Sequence, residues 1–199
     1  MLAAGILFLM ISGCQKKDCF VPEGFILEVG TTDNSTYTSN LSVPDTVFHN
    51  TFHTTVRHLD LDGDQECELC LVSTETTINS TTIVRELKLV PDPSRTITVS
   101  VLVDNPNPPY LVRPYSVGAT VDVEQEFSLL VNGDLPLARY TVDLLNGKEV
   151  FEGNWNGKSE KCLIIKYTED GTELSAWIEL SVTQYDNYVF HNFATFRKD

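Results

Sequence analysis

Apolar and polar residues alternate with a period of two along much of this chain, and no long window carries the 3.6-residue period of an amphipathic helix. Between 121 and 131, Val121, Val123, Phe127, Leu129 and Val131 share one face, opposite Asp122, Glu124, Glu126 and Ser128. Between 174 and 183, Leu174, Ala176, Ile178, Leu180 and Val182 face one way, with Ser175, Glu179, Ser181 and Thr183 opposite. Residues 95–103 place Ile97, Val99, Val101 and Val103 on one side. The segments 81–90, 139–145, 148–154, 160–167 and 187–196 follow the same pattern more weakly. Successive strand side chains point to opposite faces, so each run predicts a strand with one buried face. Turn signals separate the runs. Asn146-Gly147 and Asp170-Gly171 predict hairpins, and Asn132-Gly133-Asp134 closes the 121–131 run. Many short strands with frequent turns predict an all-β fold, an antiparallel β-sandwich of jelly-roll or immunoglobulin-like type.

Residues 104–116 hold four prolines and cannot form an interior strand, because proline donates nothing to a ladder. They read either as a long loop within one sandwich over 24–199, or as a subdivision between two sheet-on-sheet halves. The polar stretch 31–46 reads as an irregular loop or edge.

Composition narrows the partners. The 199 residues carry a formal charge of −14, with 42% hydrophobic and 10% aromatic residues. That is enough apolar material for a core. The acidic balance argues against nucleic acid and against anionic lipid as electrostatic partners. No apolar run reaches the roughly 18 residues of a membrane span.

The first thirteen residues, MLAAGILFLMISG, are uncharged and apolar and end in small residues before Cys14, the pattern of a signal peptide. Ile11-Ser12-Gly13-Cys14 resembles a bacterial lipobox, which implies lipidation of Cys14, a tether over 14–23 and an anchor in the outer membrane, periplasmic or surface-facing. No basic residue precedes the apolar run, so the true start is expected upstream. The residues CQKKD after the lipobox resemble the short signal of surface-exported lipoproteins of Bacteroidota.

One segment carries chemistry. Asp60-Leu61-Asp62-Gly63-Asp64-Gln65-Glu66-Cys67-Glu68 places acids at every second position. Calcium takes six to eight oxygens, and a tight loop with alternate carboxylates brings Asp60, Asp62 and Asp64 onto one centre. The Glu66 carbonyl and the Glu68 carboxylate complete the expected set, with Ca2+ as the expected structural cofactor. The alternative is a solvated acidic turn without an ion. The glycine at the fourth position and Leu71 at the twelfth exclude an EF-hand. The loop resembles the DxDGDxxxD loops of integrin-type propeller repeats and of secreted bacterial β proteins. Those often have glycine where this chain has Gln65, which makes the turn costlier. A single copy excludes a propeller. The flanking HTTVRHL and ELCLVST predict a hairpin clamped by the loop.

The wider order of features resembles secreted or lipid-anchored β-sandwich proteins of unknown function, which pair such a loop with a late hairpin. The matching residues are Ile164–Tyr167, Asp170-Gly171, Ala176–Val182 and Phe193–Phe196. The resemblance implies fold and export and carries no activity.

Five cysteines are present; without Cys14, Cys19, Cys67, Cys70 and Cys162 remain. One or two disulfides or buried free thiols are expected. Cys67 and Cys70 spell CxxC without the strand-to-helix setting of a redox motif, and in a strand that spacing points the thiols to opposite faces. A four-cysteine zinc site lacks a second close pair. His49 and His53, on a strand, would lie about 13 Å apart, too far for one metal. His58 adjoins the acidic loop.

No GxSxG, HExxH, P-loop or dinucleotide fingerprint occurs, so no catalytic residue is assigned. The expected function is that of a non-enzymatic exported lipoprotein, a surface binding or accessory module with a protein or glycan partner. One alternative is a glycan-binding module using exposed Trp155, Tyr110 and Tyr115. Another is a hydrolase of unrecognised type.

Overall fold

The computed structural model describes residues 25–39, 45–47, 54–100, 112–126, 128–130, 133–183 and 188–198. Cys14, Cys19, His49, His53 and Tyr110, together with the 1–13 segment, lie outside the described residues. Within them the chain is all-β, built from antiparallel sheets stacked as a sandwich.

One sheet has the order β12-β11-β6-β5-β4, from β4 (Thr55–Leu59), β5 (Leu69–Ile78), β6 (Thr82–Pro91), β11 (Leu135–Asp143) and β12 (Lys148–Glu152). The larger sheet runs β10-β7-β13-β14-β15-β2, from β2 (Tyr37–Thr38), β7 (Ile97–Ser100), β10 (Ser128–Leu130), β13 (Lys161–Glu169), β14 (Thr172–Val182) and β15 (Tyr188–Arg197). β3 (Asp45–Val47) adds to β15 and β8 (Tyr115–Ser116) to β13. A two-stranded ribbon pairs β1 (Ile26–Glu28) with β9 (Thr120–Asp122). Each of the two large sheets draws strands from both sides of the proline-rich segment.

Two apolar clusters define three layers. The main core joins Leu59, Leu69, Leu71, Leu87 and Leu89 of the five-stranded sheet to Ile97, Val99, Leu163, Ile165 and the Leu174–Val182 face of the larger sheet. All five residues of that β14 face are buried there, as the alternation predicts. A second cluster sits on the other face of the larger sheet, where Cys162, Ile164, Trp177 and Phe196 meet Leu27, Val29, Val121 and Val123. The central sheet is therefore covered on both faces, and β13 and β14 bury consecutive residues in their middles, Cys162–Ile165 and Leu174–Ile178. Each fully buried Leu, Ile or Val contributes about 1.5–3 kcal/mol from transfer out of water.

The hairpin signals are realised. Asp170 and Gly171 both take positive φ, 46° and 76°, between β13 and β14, as a two-residue turn matched to strand twist demands. The β11–β12 hairpin turns over residues 144–147. The 121–131 run differs from its expectation and divides into β9 and β10. The Asp122 carbonyl accepts the Gln125 and Glu126 N–H groups, and its carboxylate accepts the Glu124 N–H at 3.1 Å. This local turn captures the amides that an unbroken strand would send to a neighbour.

Candidate metal centre

The acidic segment is the β4–β5 hairpin loop, closed by the Leu59–Leu69 pair and by the Glu68 N–H donating to the Leu59 carbonyl at 3.2 Å. Its carboxylates fold it. Asp60 accepts the Gly63 N–H at 2.6 Å and the Gln65 N–H at 3.1 Å; Asp62 accepts the Asp64 N–H at 3.1 Å; Asp64 accepts the Glu66 N–H at 2.7 Å. Gly63 and Gln65 take φ of 90° and 75°. Glycine tolerates that conformation, and glutamine is strained there. Leu61 is fully buried and pins the loop to the main core, and the Thr195 hydroxyl donates to its carbonyl.

Asp62, Asp64, Glu68 and Glu169 each offer one oxygen, and these oxygens lie within 4.8 Å of one another. Of the four carboxylates expected at the site, Asp62, Asp64 and Glu68 come together. Asp60 is turned onto the loop amides, and Glu66, expected through its carbonyl, lays its carboxylate 3.0 Å from Arg95 Nη2. Glu169 comes from the β13–β14 hairpin, where the sequence shows only a turn. No local spacing links it to residue 62.

Glu68 is the unusual member. It is fully buried, one oxygen accepts the Leu61 N–H at 2.6 Å, and Oε1 has no hydrogen-bond partner. Burial pushes its carboxyl up to about 7 against the opposing pull of the Leu61 N–H, and Asp62 and Asp64 add to the rise. Arg95 stands at the rim. It pairs with Glu169 and lies 3.5 Å from Asp64 and 3.7 Å from Glu68 Oε1. Burial opposes the guanidinium charge, but Glu68, Asp64, Glu66 and Asp62 outweigh it and raise Arg95 above its ordinary value. One guanidinium faces five carboxylates. An open polar cleft of about 500 Å³, lined by Asp64, Glu66, Arg95, Glu169 and Asp170 among others, leads from Arg95 to solvent. A larger cleft of about 590 Å³ lies away from the acids, between β1 and the end of β15.

The aromatic expectation is corrected by burial. The Trp155 ring is wholly enclosed in the main core, and Tyr115 packs in the second cluster with its hydroxyl on Ser100. Trp177 is also buried and donates its indole N–H to the Thr31 carbonyl at 2.9 Å. Neither described candidate, Trp155 nor Tyr115, presents a face to solvent.

The cysteine geometry is also corrected. β5 begins at Leu69, so only Cys70 obeys strand alternation; Cys67, still in the loop, curls back to the same side. Cys67, Cys70 and Cys162 are free thiols. Burial pushes the Cys162 thiol up to about 12, and burial with Cys67 alongside does the same to Cys70. Neither has the lowered value of a reactive thiolate.

No family model, curated protein or solved structure matches this chain. The chemistry of the site therefore rests on its own geometry.

Proposed function

We propose that this chain is an exported, lipid-anchored β-sandwich protein whose β4–β5 hairpin holds a structural calcium ion, and that it serves as a non-catalytic binding or accessory module. The observation that carries the metal reading is Glu68: a carboxylate with no solvent exposure and one unpartnered oxygen, gathered with three other carboxylates. A buried anion of this kind is costly unless a cation compensates it, and Arg95 supplies a single charge from the rim. Asp62, Asp64, Glu68 and Glu169 would supply four of the six to eight oxygens that calcium takes, with carbonyls or waters completing the shell. A hard dication also suits all-oxygen donors better than a transition metal does. The ion would tie the β4–β5 loop to the β13–β14 turn across the two large sheets.

The anchoring part of the proposal rests on the apolar leader and Cys14. The burial of Trp155 and Tyr115 favours a protein partner over a glycan held on those rings.

Calorimetric titration of the chain with calcium tests the metal reading, with melting followed in calcium and in chelator. Saturable one-to-one binding and a lower melting temperature in chelator are expected. Absence of heat at millimolar calcium overturns it. Retention of the chain in the membrane fraction, lost in Cys14→Ala, tests the anchor separately.

A further inference from the structure

On the outer face of the same hairpin, His58 of β4 and Cys70 of β5 are directly opposed cross-strand partners. His58 Nδ1 stands 3.3 Å from Cys70 Sγ, and Cys67 Sγ stands 3.2 Å from Cys70 Sγ. One donor atom from each of the three lies within 4.8 Å of the others. The residues between the thiols, Glu68 and Leu69, are both buried, so the loop turns its carboxylate inward and its sulfurs outward. His58 is exposed and both cysteines are half-buried, which leaves the group reachable from solvent.

We propose that His58, Cys67 and Cys70 form a second metal site, for Zn2+, with two thiolates and one imidazole as ligands and the fourth position open to water. The donor set decides the metal. Two sulfurs and a ring nitrogen suit a borderline-soft cation and are foreign to calcium. The spacing is also close to that of a zinc shell. Zinc bonds of about 2.3 Å to sulfur and 2.0–2.1 Å to nitrogen in a tetrahedron give edges of about 3.8 Å between sulfurs and 3.6 Å between sulfur and nitrogen. The contacts of 3.2 and 3.3 Å reach those edges by opening about 0.6 Å between the sulfurs and about 0.3 Å between sulfur and nitrogen. Binding replaces two S–H protons, released to water, with two Zn–S bonds, and the Cys67 thiol gives up its contact to the Leu69 carbonyl at 3.2 Å. No oxidant is involved. The site is independent of the carboxylate cluster, which lies on the other side of the loop.

Cobalt substitution tests this directly. The reduced, metal-free full chain is titrated with Co2+ in excess calcium, so that the carboxylates face a hard competitor. One equivalent of Co2+ is expected to give an intense near-ultraviolet thiolate-to-cobalt band and tetrahedral visible bands, both removed by Zn2+. Cys67→Ser and Cys70→Ser should abolish the band, and His58→Asn should weaken cobalt binding at least ~10-fold. The Asp62→Asn, Glu68→Gln double variant should retain the band, which separates this site from the calcium reading. A missing band overturns the proposal, as does one that persists in both cysteine variants. A readout free of substitutions is zinc protection against alkylation, located by peptide mass spectrometry, with buried Cys162 as reference. Protection of both Cys67 and Cys70 supports the site; unchanged alkylation, or a Cys67–Cys70 disulfide in the zinc-supplemented protein, overturns it.

Discussion

Arg95 Nη2 stands 3.7 Å from Glu68 Oε1, beyond hydrogen-bond reach, so the fully buried carboxylate has a cation nearby and no donor on that oxygen. The guanidinium is committed elsewhere, to Glu169 and Glu66. It partly neutralises the acids and also repels an incoming dication. Arg95→Gln should therefore destabilise the calcium-free protein, by about 1–3 kcal/mol, and tighten calcium binding. Denaturant melts in chelator and calorimetry in calcium check the two halves. Weaker calcium binding in the variant would show that Arg95 orders the ligands instead of competing with the ion.

Glu68→Gln separates charge from shape. The amide oxygen can still accept the Leu61 N–H, while the buried charge disappears. Calcium affinity should fall at least ~10-fold with one fewer anionic ligand. The metal-free variant should be at least as stable as the parent at pH 7.5, because it buries no anion. A large loss of metal-free stability would mean that Arg95 already compensates Glu68.

The raised Glu68 carboxyl gives a pH dependence with a definite sign. Its value is about 7 in the folded chain and 4.5 as the ordinary reference, so the folded state binds more protons between those limits. Stability from this group is present below the lower value and is lost as pH rises through the upper one. Acidifying the calcium-free protein from pH 7.5 to 5.5 should stabilise it by about 2 kcal/mol from this group. Calcium affinity should move oppositely and weaken over the same interval. Glu68→Gln should remove this component of the profile, and an unchanged profile would place the titration on another group.

The loop backbone offers a test in both directions. At Gly63, φ is 90° and an added Cβ would meet the Tyr37 ring at 2.8 Å, so Gly63→Ala should cost about 1–3 kcal/mol. Gln65 holds φ of 75° with an exposed side chain, so Gln65→Gly relieves strain and should stabilise by about 1 kcal/mol. It should also tighten calcium binding, since the loop would be held in shape at lower cost. Equilibrium unfolding of both variants, with and without chelator, decides this.

The strands were legible because burial on one face writes period two directly into the sequence, as in Leu174, Ala176, Ile178, Leu180 and Val182. The second layer was not. Ile164 and Trp177 point to the other face and are buried only because the β1–β9 ribbon covers them, a pairing across nearly a hundred residues. In β15 the ladder slips near His191: Tyr188 and Phe190 join Phe193 in the main core, while Ala194 and Phe196 join the second. One inserted residue inverts parity, and no local pattern announces it. At the site, the loop and three of its acids were visible as spacing. Glu169 and Arg95 were not, since tertiary approach alone brings them there. The thiol pair was misplaced because β5 starts after Cys67, and its boundary decides which way the side chain points.

The centre around Glu68 also constrains the order of folding. Its parts come from residues 61–68, Arg95, Glu169 and Thr195, and the last of these lies on the final strand. Contacts so distant in sequence form late, because long loops must close before they yield any stabilisation. The hairpin alone holds three of the four clustered carboxylates and lacks Glu169. A chain that crosses a membrane unfolded cannot carry its cation with it. On the export and calcium readings proposed above, the ion would be taken up where the last strand docks.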